Sequence, residues 1–186
     1  SLLLVALAYA GLGTAVFQKR ADGRLTMAAR WLLAPYLGAA WINSRLWTRR
    51  APQPVPVLDG VWLGRIPNGA LPSPLGGVVD ACAELSCRAQ GAAYASVPML
   101  DLVVPAPEQL REAAEAIERL HAHGPLLVCC ALGYSRSAAS VATWLLRSGR
   151  AADADAAVAI VRAARPGIVL GTAHLRAITD AAGVRA

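Results

Sequence analysis

Beyond residue 57, short runs of apolar residues alternate with longer segments in which apolar residues recur every three or four positions. Short runs bounded by turn residues are typical of strands, and four are predicted, at 61–64, 78–81, 93–97 and 126–129. The longer spacing is typical of helices with one buried face, and four are predicted, at 108–121, 135–148, 153–164 and 172–182. This alternation predicts an α/β fold in which helices cover both faces of a sheet.

The first 50 residues have a different pattern, in which apolar residues predominate without a regular period. Residues 1–17 form an apolar run, close to the roughly 20 residues that a membrane-spanning helix requires. Lys19, Arg20 and Arg24 follow this run, and basic residues at the end of a span favour the cytoplasmic side. We therefore expect a membrane-attached segment at residues 1–50, with the rest of the chain in the cytoplasm.

Within this segment, residues 27–47 are harder to assign, because Arg30 and Arg45 interrupt their apolar pattern. They also include four aromatic residues, namely Trp31, Tyr36, Trp41 and Trp47. Aromatic side chains of this kind settle at the headgroup level of a bilayer. The pattern favours a helix that lies in the membrane interface or re-enters it, while a second span and an ordinary packed helix remain alternatives.

The prolines of residues 51–56 predict a stiff linker, followed by one folded domain at 57–186. The chain has 18 basic and 12 acidic residues, a net charge of +6. Seven of the basic and one of the acidic residues lie within 1–57, so the excess positive charge is confined to this part. A nucleic-acid-binding protein would carry a basic face on its folded domain, so we expect no nucleic-acid partner.

The chain contains four cysteines, and their spacing matches neither a zinc site nor a secreted disulfide framework. The glycine-rich patterns of nucleotide-binding loops do not occur. We therefore expect no metal and no cofactor, and the sequence leaves the oligomeric state open.

One predicted strand leads into a segment that carries chemistry, because Cys130 is followed by Gly133 and Arg136 and then by a predicted helix. Backbone amides in a tight turn before a helix form an anion site, and an arginine binds two phosphoryl oxygens at once. The positive charge of the arginine and of the helix start also stabilises a thiolate. The pattern therefore predicts a nucleophile within a phosphate-binding loop, while a buried and inert cysteine is the alternative. The loop residues are Ala131, Leu132, Gly133, Tyr134, Ser135 and Arg136.

The sequence Cys130-Ala-Leu-Gly-Tyr-Ser-Arg-Ser137 resembles the loop of cysteine-dependent protein tyrosine phosphatases, specifically the dual-specificity branch. The resemblance extends over 61–178 and includes Arg165-Pro166. It implies a central, mostly parallel sheet of about five strands and catalysis through a phosphocysteine, with Cys130 as nucleophile and Arg136 as phosphate ligand. The chain departs from the family at Cys129, where a histidine is usual.

The resemblance also implies a general acid about thirty residues before the nucleophile, which corresponds to Asp101. Asp80 and Glu84 are rival candidates from the preceding strand, and Asp101 alternatively begins a solvated loop. Ser137 is expected to donate a hydrogen bond to the departing thiolate, or simply to cap the helix.

Two further resemblances concern segments that precede the Cys130 loop. Residues 17–24 and 31–36 are similar to the linker in bacterial fusions of a type 2 phosphatidic acid phosphatase to a dual-specificity domain, which implies a larger membrane domain. Residues 80–84 resemble a passage in phosphoinositide phosphatases whose cysteine traps the oxidised nucleophile. Cys82 is therefore a possible redox partner of Cys130, with a buried structural thiol as the alternative.

Together these features predict a membrane-tethered phosphatase for phosphoprotein monoesters. The first alternative is a lipid phosphate phosphatase of the same fold, acting on a phosphatidylglycerophosphate-like or phosphoinositide-like substrate. The second is a non-catalytic pseudophosphatase that binds phosphate groups. Ala131, Leu132 and Tyr134 occupy loop positions where a polyphosphoinositide headgroup would favour lysines.

Overall fold

The structure is a computed structural model that describes residues 1–87 and 91–183. Its described residues form one sheet of five strands in the order β1-β2-β5-β3-β4. The strands are β1 Val55–Leu58, β2 Val61–Arg65, β3 Gly77–Cys82, β4 Ala93–Met99 and β5 Leu126–Cys130. β1 is antiparallel to β2, and the other neighbouring strands are parallel. The predicted sheet of about five mostly parallel strands is therefore confirmed.

The four predicted strands match β2 to β5 within two residues at each end. The fifth, β1, lies where the sequence predicted linker and domain start, and its Val55 pairs with Leu63. The sheet therefore begins inside residues 51–56. The one proline of this strand, Pro56, is tolerated because β1 lies at the edge of the sheet.

The four predicted helices form a layer on one face of the sheet, in which the first three contact strands and the last packs on the other helices. They are α4 Pro107–His121, α5 Arg136–Arg147, α6 Ala154–Ala164 and α7 Thr172–Ala182. The opposite face is covered differently from the prediction, mainly by loop residues that follow β2 and β3, together with Ala40. Side chains alternate between the two faces along β5, which puts Cys130 on the side of the four helices and Cys129 on the other.

The apolar run at residues 1–17 is not one helix. It forms α1, Leu2–Leu7, then a π-helical turn at Ala8–Leu12 and a 3₁₀ turn at Gly13–Phe17. Gly11 and Gly13 have φ angles of 140° and 62°, which end the right-handed helix. Within the part of the chain that the structure describes, no helix combines the length and the apolar character needed to cross a membrane. The predicted spanning helix is therefore not supported.

Lys19 was predicted to be a basic flank at the membrane, but its side chain is 1% exposed and lies at one end of the sheet. Its Nζ is 2.6 Å from Asp80 Oδ2 and donates to the backbone oxygens of Cys82 and Leu85. Phe17, together with other N-terminal apolar residues, packs against Ala83. The ammonium is stabilised by its acidic partner and two carbonyls, so it belongs to the protein interior.

Residues 27–47 form two helices, α2 at Met27–Leu32 and α3 at Ala34–Trp47. The inner side of α3 lies along the loop that follows β5, where Ser44 Oγ donates a hydrogen bond of 2.5 Å to the Ala131 carbonyl. The outer side of the two helices exposes large apolar residues to a degree unusual for a packed helix: Met27 63%, Trp31 76%, Leu32 58%, Ile42 54%, Leu46 58% and Trp47 71%.

Candidate active site

The loop between β5 and α5 surrounds the sulfur of Cys130. The Gly133 amide and the Ser137 hydroxyl each donate a hydrogen bond of 3.2 Å to Cys130 Sγ. The sulfur also faces the start of α5, where the helix dipole favours negative charge. The loop predicted from the sequence is therefore folded around its predicted nucleophile.

These contacts set the ionisation of Cys130. Burial raises the pKa of this thiol, but the Arg136 charge and the hydrogen bonds from Ser137 and Gly133 outweigh burial and lower the pKa below its usual range. A thiolate is the nucleophilic form of cysteine. The environment thus favours the reactive state, even though Cys129 replaces the usual histidine.

Gly133 is needed for the shape of this loop. Its φ is 76°, in the left-handed region that side chains disfavour. A Cβ at this position would lie 2.8 Å from the Arg65 backbone nitrogen and still closer to Gly64. The loop therefore touches the backbone of β2, and a side chain at residue 133 would displace it.

Arg136 is buried and is fixed along one edge of its guanidinium group. Nη1 donates to Glu84 Oε2 at 2.7 Å and to the Met99 carbonyl at 2.8 Å. Nη2 lies 3.0 Å from Asp101 Oδ1, and Nε has no hydrogen-bond partner among the described residues. Nη2 likewise makes no hydrogen bond among the described residues, so the edge formed by Nε and Nη2 is available to bind two phosphate oxygens.

Glu84 connects the arginine to the proposed acid. Its Oε2 binds Arg136, and its Oε1 accepts a hydrogen bond of 2.8 Å from the Asp101 amide. Burial raises the pKa of Glu84, but the Arg136 charge and hydrogen bond overcome this and lower it, so Glu84 stays ionised. An ionised, fully engaged carboxylate is a poor proton donor. Glu84 therefore positions Arg136 and the backbone of Asp101, a role that the sequence did not predict.

The two remaining carboxylates, Asp80 and Asp101, differ in their surroundings. Asp80 is completely buried and accepts from Lys19 and from the Tyr94 hydroxyl, 2.6 and 2.7 Å away. Asp101 follows β4, and its side chain is 30% exposed. Of the three acids considered from the sequence, Asp101 is therefore the one with solvent access beside Arg136.

The outer rim of the loop is held by residues near the end of the chain. Arg165 stacks on the Tyr134 ring at 4.7 Å and donates to the Leu132 carbonyl at 3.3 Å. Ser135 Oγ lies 3.2 Å from His174 Nε2. These contacts were not predicted, since Arg165 was noted only as part of the resemblance and His174 showed no local pattern.

The other cysteines lie on the far side of the sheet. Cys82 Sγ donates to Glu84 Oε2 at 3.2 Å, and burial raises its pKa well above its usual range. Cys82, Cys87 and Cys129 share one apolar cluster, whereas Cys130 belongs to the cluster between the sheet and the four helices. All four thiols are free. The redox role of Cys82 stays a prediction.

Two tyrosines from the N-terminal segment lie near this site. Burial raises the pKa of Tyr9 and of Tyr36, and the charges of Glu84 and Asp101 raise both further. Leu100, which precedes the acid, packs against the N-terminal apolar cluster. Residues outside the predicted domain therefore form part of the wall around Asp101.

Among residues 1–87 and 91–183, no group of three or more His, Cys, Asp or Glu side chains is arranged to hold a metal ion. The positive charge available to a phosphoryl group here comes from Arg136, from the loop amides and from the start of α5.

The sequence profile of the family described as "Dual specificity phosphatase, catalytic domain" matches residues 77–182. Human DUSP28 has the same fold, with 22% sequence identity and a TM-score of 0.59 over 71% of this chain and 94% of its own. PTPMT1 shows 19% identity and a TM-score of 0.58 over 70% and 94%. DUSP15 shows 17% identity and a TM-score of 0.61 over 72% and 90%.

Among curated proteins, no significant sequence match was found. The matching profile nevertheless covers more than half of the chain and includes the whole Cys130 loop. The chain therefore belongs to the dual-specificity phosphatase catalytic domain family and is a cysteine-dependent phosphatase.

Proposed function

We propose that the protein hydrolyses phosphate monoesters of lipids at a membrane surface, through a phosphocysteine intermediate. The Cys130 thiolate attacks phosphorus, which forms an S–P bond and breaks the bond to the leaving oxygen. Arg136 and the loop amides bind the non-reacting phosphoryl oxygens. The observation that supports this chemistry is the pair of 3.2 Å hydrogen bonds to Cys130 Sγ.

Asp101 acts in both halves of the reaction. Its protonated carboxyl gives a proton to the leaving oxygen, and the resulting carboxylate then takes a proton from the attacking water. Water forms a bond to phosphorus, the S–P bond breaks, and Ser137 donates its hydrogen bond to the departing thiolate. The contact of 3.0 Å between Asp101 and Arg136 supports this role, because it holds the acid next to the phosphate-binding edge.

Apolar residues around the acid favour a substrate presented by a membrane. Leu102, directly after Asp101, is 97% exposed, and Val103 and Val104 are 43% and 37% exposed. The outer side of α2 and α3 is apolar and aromatic as well. Exposed apolar residues of this kind, near arginines, are typical of surfaces that lie in a membrane interface. The interface would then present lipid headgroups directly to the site.

PTPMT1, a protein of the same fold, has been solved in complex with PI(5)P. The fold therefore accommodates such a ligand. Phosphoproteins are the competing substrate class.

The decisive experiment compares three substrates of the purified protein: phosphatidic acid in neutral detergent micelles, a short-chain phosphatidic acid below its micellar concentration, and a phosphotyrosine peptide. We expect the highest kcat/KM on micelles. Leu102→Asn tolerates the positive φ of 58° and should lower the ratio of micellar to monomeric kcat/KM. A higher kcat/KM on the peptide would assign the protein to phosphoprotein substrates.

The intermediate is tested separately by acid quenching with a phosphate-labelled substrate. Label should remain bound to the wild-type protein and be absent from Cys130→Ser, which should also lose turnover. Turnover by Cys130→Ser would exclude Cys130 as the nucleophile, and turnover without bound label would exclude the phosphocysteine.

A further inference from the structure

A cavity of about 750 Å³ lies between the N-terminal helices and the segments that follow β2 and β3. Four arginines line it, which come from the turn before α2, from α2 itself and from α3: Arg20, Arg24, Arg30 and Arg45. Arginine remains charged at all physiological pH values. The cavity therefore concentrates four positive charges in one concave space.

The acidic residues near the cavity do not neutralise these charges. Among residues 1–87 and 91–183, Glu84 is the one acid that lines the cavity, and its carboxylate is already paired with Arg136 at 2.7 Å. Arg24 has a long contact of 4.0 Å with the exposed Asp22. Among the described residues, Arg20 and Arg30 form no ion pair. A phosphate group would supply the missing negative charge, since guanidinium groups bind phosphate oxygens in pairs.

The rest of the lining is apolar, which indicates the kind of molecule that carries the anion. Met27, Leu37 and Trp41 face the cavity, and the Arg45 guanidinium lies 5.4 Å from the centre of the Trp41 ring. α2 and α3, which form this wall, also carry the exposed Trp31 and Trp47. Arginine and tryptophan on one surface fit the headgroup region of a bilayer, where an anionic group adjoins apolar chains.

The cavity adjoins the catalytic loop. Glu84 borders the cavity on one side and contacts Arg136 on the other. Ile66 also lines the cavity, and its amide donates to the Cys130 carbonyl at 2.7 Å. A ligand in the cavity is therefore separated from the phosphate-binding loop by one layer of side chains.

We propose that this cavity binds the phosphodiester of an anionic phospholipid next to the catalytic loop. The proposal rests on the proposed function and deepens it, since it assigns a second phosphate site to the same surface. The phosphodiester has two sources: the substrate itself, when it also carries the phosphate monoester, or a neighbouring lipid of the bilayer. Both sources use the same four arginines.

The test uses the double variant Arg20→Gln/Arg30→Gln, because these exposed side chains form no ion pair in the described residues. The matched control is Arg162→Gln/Arg176→Gln, two exposed arginines on α6 and α7 that remove the same charge elsewhere. Thermal unfolding of all variants should coincide, which separates a local loss of binding from misfolding.

Three neutral detergent micelles distinguish the sources. The first contains phosphatidylglycerophosphate, which has a monoester and a phosphodiester; the second phosphatidic acid alone; the third phosphatidic acid with phosphatidylglycerol. If the substrate supplies the phosphodiester, kcat/KM in the first exceeds that in the second about tenfold, and the double variant removes the preference. If a neighbouring lipid supplies it, the third exceeds the second, and the double variant removes that activation. The control variant should behave as the wild type.

A binding measurement tests the cavity site independently of the proposed catalytic function. Cys130→Ser protein should float with vesicles of phosphatidylcholine and phosphatidylglycerol more than with phosphatidylcholine alone, and Arg20→Gln/Arg30→Gln in that background should abolish the difference. Hydrolysis of a soluble aryl phosphate without any lipid hydrolysis would overturn the proposed function. Equal kcat/KM ratios and equal flotation for the double variant, the control and the parent would overturn the cavity site.

Discussion

Lys19 and Asp80 are 61 positions apart and form an ion pair of 2.6 Å in which the two side chains are 1% and 0% exposed. Asp80 lies in β3, and its other oxygen accepts from the Cys82 amide at 2.8 Å. Lys19 also binds the carbonyls of Cys82 and Leu85, on either side of Glu84. The N-terminal segment thus fixes the backbone that carries Glu84, and through it Arg136.

Replacing Lys19 with methionine should lower the free energy of unfolding by about 3–5 kcal/mol, because it leaves the Asp80 carboxylate buried without its cation. Urea denaturation at neutral pH measures this loss. Lys19→Met/Asp80→Asn removes both charges and should recover part of the stability. A loss below about 1 kcal/mol for Lys19→Met would show that the pair contributes little.

Glu84→Gln keeps the shape of the side chain but replaces the carboxylate that holds Arg136 with an amide. We expect kcat/KM to fall on the order of 10²-fold, since small displacements of a phosphate ligand have effects of this size. Competitive inhibition by inorganic phosphate should weaken as well, because Arg136 loses its orientation. A fall in kcat with unchanged phosphate inhibition would instead make Glu84 a participant in proton transfer.

Asp101→Asn should slow hydrolysis of alkyl phosphates about 10²–10⁴-fold. Aryl phosphates with acidic leaving groups should be affected much less, because their leaving oxygen needs little protonation. Steady-state rates over a series of leaving groups measure the difference. An equal loss for all leaving groups would remove Asp101 as general acid.

The lowered pKa of Cys130 predicts rapid alkylation by iodoacetamide at a pH below the usual thiol range of about 8.5. The thiolate is lost as the pH falls through this lowered value, so reactivity should decline only in more acidic buffer. Ser137→Ala should move the midpoint of the pH profile upward, because a donor to the sulfur is removed. Ser140→Ala is the matched control, since its hydroxyl binds the Arg136 carbonyl and not the sulfur. A midpoint equal to that of a free thiol would contradict the proposed environment.

Mild peroxide should inactivate the protein reversibly. Peroxide oxidises the Cys130 thiolate to a sulfenic acid, which the Cys82 thiol converts to a disulfide with release of water. Cys82 contacts Glu84, the residue that binds Arg136 beside the nucleophile. Because Cys82 and Cys130 lie on opposite faces of the sheet, the disulfide requires the end of β3 to rearrange. Peptide mapping identifies the bond; a link from Cys130 to Cys129 or Cys87 would contradict it, as would equal recovery of Cys82→Ser after thiol treatment.

The strands and helices after residue 57 could be predicted because their signals are local. A strand shows as a short apolar run, and a helix as apolar residues three or four positions apart. The Cys130 and Arg136 pair was equally accessible, since both lie in one short loop. The bridge made by Glu84 was not, because it depends on β3 and β5 being neighbours. The N-terminal third could not be predicted either: apolar residues look alike whether lipid or protein covers them, and the partner of Lys19 lies 61 positions away.

The hydrogen bond from Ser44 to the Ala131 carbonyl joins a helix outside the matched family region to the loop that carries the chemistry. A substitution in α3 can therefore displace the loop around the sulfur while the nucleophile, the arginine and the acid keep their identities. The reactivity of the site is in this sense set partly by a helix that contains none of its reacting groups.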